Sequence, residues 1–96
     1  MRKLCKLSAV LCLLACRQQP VLRLTTEKTV NGWAYRITHK GKPLIYQENI
    51  PAIPGLHPFK SRNDAQRTGE LVLNKLENHA HPALSIREID SLQLTR

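Results

Sequence analysis

Two histidines separated by one residue, His79 and His81, are the densest pair of metal-ligating side chains in this 96-residue chain. Alternate histidines in a loop supply two ligands at most, whereas zinc sites take three or four, and His39 and His57 lie far off in sequence. They read as solvated loop histidines, and no metal or other cofactor is expected. Nucleophilic chemistry finds no better footing. Ser8 falls in a segment expected to be removed, and Ser61, Ser85 and Ser91 sit where helix caps or helix surface are expected. The acids are Glu27, Glu48, Asp64, Glu70, Glu77, Glu88 and Asp90. Only Glu70 and Glu77 are set up locally as a pair, two helical turns apart on a solvated face, which is not an acid/base arrangement. The residues argue against an enzyme, and no catalytic residue is assigned.

Cysteine chemistry points elsewhere. Arg2, Lys3 and Lys6 form a basic start, Leu7 to Leu14 is an apolar run too short to span a bilayer as a helix, and Ala15 is small. This is the pattern of an export signal. It ends in Leu13-Leu14-Ala15-Cys16, which resembles the bacterial lipobox, where the signal is cut before a cysteine that carries a diacylglycerol thioether and usually an acylated amine. The expectation is a signal peptide over 1–15, lipidation at Cys16, and a disordered polar tether over 16–20; the alternatives are an ordinary signal peptide or a buried apolar helix with incidental cysteines. Cys5 and Cys12 leave with the signal, and no cysteine follows Cys16, so disulfides, thiol catalysis and thiolate metal sites are excluded from the mature chain.

Each buried acyl CH₂ contributes about 0.8 kcal/mol, so two or three chains would hold the protein on a membrane essentially for good. The expected location is the bacterial cell envelope, periplasmic and lipid-anchored, with the outer membrane preferred over the inner. Removing Arg2, Lys3 and Lys6 from fifteen basic residues leaves twelve against seven acids, a balance of +5. Nucleic acid is not an expected partner of a chain tethered outside the cytoplasm. The modest excess suits solubility, or a surface beside anionic lipid or polysaccharide.

Residues 21–96 must supply any site. Val21 to Val30 reads as a weak first strand, and Asn31-Gly32 carries the signature of a two-residue type I′ hairpin. Trp33, Tyr35 and Ile37 then alternate with Ala34, Arg36 and Thr38, giving one apolar face and one small or polar face. Lys40-Gly41 reverses the chain into a third strand, Pro43 to Gln47. Its inward pair is either Leu44 with Tyr46 or Ile45 with Gln47, and the first is favoured. Ser61 followed by Asp64 starts a helix at Arg62, with Ala65, Gly69, Val72, Leu73 and Leu76 as the buried stripe; Gly69 there implies close approach to the sheet. Ser85 and Glu88 repeat the capping signal before a short helix. The predicted fold is α+β, a three-stranded antiparallel β-meander packed on one long helix, with a short C-terminal helix.

Between sheet and helix, Ile50 to Phe59 forms a stiff crossover braced by Pro51, Pro54 and Pro58. Its Ile50, Ile53 and Phe59 can pin into the core edge, so that the loop merely caps the open end of the sandwich. Ile50, Pro51, Ile53, Pro54 and Leu56 are the candidate binding rim, with Ile53 leaning to a structural role and Leu56 turned outward by Gly55. Two readings follow. The first is a non-catalytic binding or accessory module that holds an envelope protein partner. The second is a small ligand carrier or enzyme with a pocket between Trp33, Tyr46 and the crossover, which about 300 Å³ of concave space lined by those aromatics would favour.

The order Gly32-Trp33, Tyr35, Ile37, Gly41-Lys42-Pro43-Leu44-Ile45-Tyr46-Gln47, Ile50-Pro51-Ala52-Ile53-Pro54-Gly55, Phe59, Asp64-Ala65, Leu71-Val72 and Lys75-Leu76 resembles a family of short exported proteins. Many of that family are lipoproteins of Bacteroidetes-type bacteria, and it is catalogued as a domain of unknown function. The resemblance covers roughly Gly32 to Leu92, and its most specific part is Tyr-Gln-x-x-Ile-Pro-Ala-Ile-Pro-Gly. In the family pattern a glycine commonly stands where this chain has Ala34, and the extra methyl argues against a role needing bare backbone there. The resemblance implies fold and location and supplies no catalytic residue.

Overall fold

Alternation decides the first two strands. In β1 (Leu22–Lys28), half-buried Leu22, Leu24 and Thr26 alternate with exposed Arg23, Thr25 and Glu27, and in β2 (Trp33–His39) Tyr35 and Ile37 are buried on the same side. With β3 (Lys42–Gln47) they form one antiparallel sheet in the order β1-β2-β3, followed by α1 (Arg62–Glu77) and α2 (Ile86–Leu92). The computed structural model describes residues 21–95; the expected signal peptide, Cys16 and the tether lie outside the described residues. The α+β meander is as the sequence predicts. Among the described residues the core side chains lie between Leu22 and Leu94.

The two hairpins exchange the roles their sequences suggest. Asn31 and Gly32 both have negative φ, and Lys28 pairs with Trp33, so β1 and β2 are joined by the four residues Thr29 to Gly32 rather than a two-residue type I′ turn. Thr29 N–H donates to the Gly32 carbonyl at 2.8 Å, and Gly32 N–H donates to Thr29 Oγ1 at 3.0 Å. Gly32 is required for space, because an added Cβ would collide with the carbonyl oxygen of Phe59, which accepts from Trp33 N–H at 2.9 Å. The I′ geometry belongs instead to Lys40-Gly41, where both residues have positive φ (51° and 80°) between paired His39 and Lys42. Relative to the expected hairpin, β1 is displaced by two residues. A shift of two preserves side-chain parity, so Arg23 and Thr25 still lie beside Thr38 and Arg36 on the outer face.

The third strand departs from expectation. Pairing outward from Lys40-Gly41 gives His39 with Lys42 and Thr38 with Pro43, but the register then slips so that Ile37 meets Ile45 and Tyr35 meets Gln47. Leu44 is the extra residue of this bulge, beside a proline with no ladder donor. One inserted residue reverses the parity of everything after it. Ile45 and Gln47 therefore face inward. Of the two residues favoured for the core from sequence, Tyr46 stands about half exposed on the outer side beside Arg36, and Leu44, also about half exposed, lies at the sheet edge near Leu22 and Leu76.

Ser61 caps α1, its Oγ accepting from Asp64 N–H at 3.0 Å. The buried stripe is Ala65, Thr68, Gly69 and Val72, with Leu73 and Leu76 half-buried against the core. Thr68 escapes an apolar pattern because its hydroxyl donates to the Asp64 carbonyl at 2.8 Å. At Gly69 an added Cβ would lie 2.6 Å from Leu24 Cδ1 and 3.1 Å from Tyr35 Cγ, so the helix does approach the sheet closely there. Phe59, wholly buried, meets Tyr35 with ring centroids 5.9 Å apart.

Charged groups fasten the C-terminal segment. Ser85 and Glu88 form the expected capping box on α2, and Lys75 Nζ reaches Glu88 Oε2 at 2.7 Å and the Ala83 carbonyl at 2.8 Å. The Lys75 hydrogen bond, then the Ser85 backbone N–H, hold the Glu88 carboxyl below its ordinary value. Asp64 is buried, accepting from Thr95 N–H at 3.0 Å, while Arg67 donates to the Leu92 carbonyl at 2.6 Å. Asp64 is thus both the first-turn acid and an anchor for the chain end.

Candidate functional site

The 48–60 crossover folds back on itself. Asn49 bridges Pro58, Ile50 N–H donates to the His57 carbonyl at 2.8 Å, and positive φ at Ala52 and Gly55 (68° and 86°) turns the chain between them. This divides the five candidate rim residues. Ile50, at 2% exposure, belongs to the core rather than to a rim, because its backbone closes the loop and its side chain points under it. Ile53 is half-buried against the core, and Pro51 is half-buried beside Tyr35 and Ile45 in a small cleft. Pro54 is exposed. Leu56, directly after Gly55, is 82% exposed.

Leu56 lines a concavity of about 780 Å³ at one end of the sheet, walled by the crossover and by the β1–β2 loop. Fully exposed Val30 comes from the β1–β2 loop, and Tyr46, Glu48, Glu27 and Pro58 complete the apolar and acidic parts of the lining. The floor is built on the outer sheet face. Arg36 stacks on the Tyr46 ring at 4.7 Å and donates to Glu27 Oε1 at 2.9 Å, while the Tyr46 hydroxyl lies 3.5 Å from Glu48 Oε2. Partial burial, and then the charges of Glu48 and Glu27, raise the Tyr46 pKa above its ordinary value. The phenol stays neutral, between two carboxylates and under one guanidinium.

Trp33 and Tyr46 do not share a pocket. Trp33 packs at the core edge on the inner face, with Lys28 Nζ 5.4 Å from its ring centroid, and the bulge in β3 puts Tyr46 on the other side. The concavity thus has the expected volume but only one of the expected aromatics. Sequence reasoning missed Val30 altogether; an aliphatic residue inside a polar turn, Thr29-Val30-Asn31-Gly32, was the available signal.

The histidines have other surroundings. His79 occupies a left-handed position (φ 57°) at the end of α1, where its N–H donates to the Leu76 carbonyl and Ala80 N–H donates to the Lys75 carbonyl, a Schellman cap. His81 Nδ1 accepts from Ala83 N–H at 3.2 Å. Among the described residues no group of three or more His, Cys, Asp or Glu is placed to hold a metal, and no helix is long and apolar enough to cross a membrane.

No curated protein and no solved structure matches the chain. The family model described as Domain of unknown function (DUF4907) matches residues 25–91, which takes in the second half of β1, the rest of the sheet, the crossover, α1 and most of α2, and the chain belongs to that family.

Proposed function

We propose that the chain is a lipid-anchored, non-catalytic binding module of the bacterial cell envelope, which holds a protein partner in the concavity between the β1–β2 loop and the crossover. The observation that carries this reading is that Leu56 and Val30, two exposed aliphatic side chains from different loops, line one concavity. Covering both would contribute about 1.5–3 kcal/mol each. Glu48 at the same place, with Glu27 already paired to Arg36 and Lys28 also in the lining, favours a partner segment that brings a hydrogen-bond donor beside its apolar group.

A ligand carrier is the second reading, favoured by a volume above the ~300 Å³ at which small-molecule sites begin. The two separate experimentally. Chemical cross-linking in native envelopes, followed by recovery of the protein, should capture a partner that Leu56→Asp loses while the melting temperature hardly moves. Equal recovery with Leu56→Asp removes the concavity as the site. For the anchor, Cys16→Ser should release the protein from the membrane fraction, and an unmodified native N-terminus beyond Cys16 would sink that half of the proposal.

A further inference from the structure

The sheet has two ends, and the concavity occupies only one. At the other, Val21 precedes β1, its carbonyl accepts from Lys40 N–H at 2.8 Å, and the Lys40-Gly41 turn projects between His39 and Lys42. Val21 and Leu44, 52% and 51% exposed, border a shallow depression there with Leu76, His39 and His79. Arg23, Lys40 and Lys42 are exposed and enter no ion pair among the described residues, whereas Glu77 is the one acid lining that depression. The three cations do not line the depression but stand at the same end of the sheet. Exposed apolar side chains with unpaired cations at one end match an anionic lipid surface, in which hydrocarbon lies beneath phosphate.

Chain length selects that occupant over others. Val21 follows Cys16 by five residues, so a fully extended link reaches at most about 18 Å. The strands themselves run about 20 Å from the Val21 end to the Val30 end. A chain held at Cys16 thus keeps its Val21 end within contact range of the membrane, at an effective concentration high enough for weak contacts to count. Resting on the anchoring reading above, we infer that the end formed by Val21, Leu44 and the Lys40-Gly41 turn seats on anionic lipid, and that the Val30–Leu56 concavity faces away from the membrane.

The mature chain from Cys16 has one cysteine, which couples through its thiol to a maleimide headgroup lipid whether or not the native protein is acylated. Vesicles of phosphatidylcholine, with and without phosphatidylglycerol, then carry the protein by the same link. Lysines are labelled with a water-soluble amine-reactive ester and read one by one by mass spectrometry. Lys40 and Lys42 should label about fivefold less on the anionic vesicles, and added salt should restore them. Lys60, beside the α1 cap at the opposite end, should label equally on both. Equal labelling of Lys40 and Lys42 on the two vesicles overturns the seating alone. Protection that persists on phosphatidylcholine and grows with protein density assigns the surface to a second copy of the chain, and also overturns it. A native chain without acyl groups overturns the anchor and the orientation, whatever the coupled vesicles show.

Discussion

The two faces of the sheet are built from the same strands and held by different forces. On the inner face Leu24, Tyr35, Ile37 and Ile45 lie under α1 and the C-terminal segment, and hydrophobic burial dominates. Among the described residues no helix covers the outer face. There Glu27, Arg36 and Tyr46 meet through a cation–π stack and an Arg36–Glu27 ion pair whose side chains are more than a third exposed, a kind of contact worth little in water. The consequence is a division of labour: the inner face fixes the fold, and the outer face, with the concavity at its end, is free to vary without unfolding it.

Core truncation should break this comparison most visibly if it is mistaken. Phe59→Ala removes a wholly buried ring packed on Tyr35 and should cost about 3–5 kcal/mol in denaturant unfolding, whereas Tyr46→Ala on the outer face should cost about 1 or less. Similar losses for the two would mean that the outer face is structural. The tyrosines offer a second contrast. Burial pushes the Tyr35 hydroxyl up to about 12 from 10. A raised folded value stabilises the protein below pH 10, and that contribution is lost as pH rises through about 12. At the full two-unit shift the loss is about 2–3 kcal/mol. Ultraviolet titration should show a late tyrosinate step near that pH, and Tyr35→Phe should remove it; a late step that survives would assign the buried phenol wrongly.

Smaller effects grade the helix. Leu73 is only half-buried, so Leu73→Ala should cost about 2 kcal/mol, the low end for a core leucine. An unchanged denaturant midpoint would put the helix stripe on the wrong side. Ser61→Ala should cost about 1 kcal/mol through loss of its bond to Asp64 N–H. Equal stability of wild type and variant would show that another group satisfies that N–H.

What was legible in the sequence was what is decided locally. Ser61, Asp64, Ser85 and Glu88 announce helix starts because capping is settled within four residues, and Gly69 in an apolar stripe announces close packing. The face of β3 was not legible. Leu44, Ile45 and Tyr46 are three large residues in succession, so either parity buries apolar surface, and the choice rests on a bulge set by pairing with Ile37. Asn31-Gly32 misled for a related reason, since Gly32 answers to the Phe59 carbonyl, twenty-seven positions away in sequence, rather than to its own turn. The concavity inherits both misreadings, because Tyr46 and Val30 come from those two places.

The smallest expected effect on stability falls at Leu56 and tests the outer end most sharply. Its side chain is 82% exposed, so Leu56→Asp exchanges one solvated group for another and should change stability by no more than about 0.5 kcal/mol. Ile53, three residues earlier on the same loop, is packed against the core, and Ile53→Asp would put a carboxylate against apolar side chains. The second variant should therefore lower the melting temperature clearly, and the first should not. An unfolded Leu56→Asp would mean that Gly55 turns the chain inward in solution. If both variants melt with wild type, Ile53 contributes nothing to the core, and Ile50 and Phe59 hold the crossover without it.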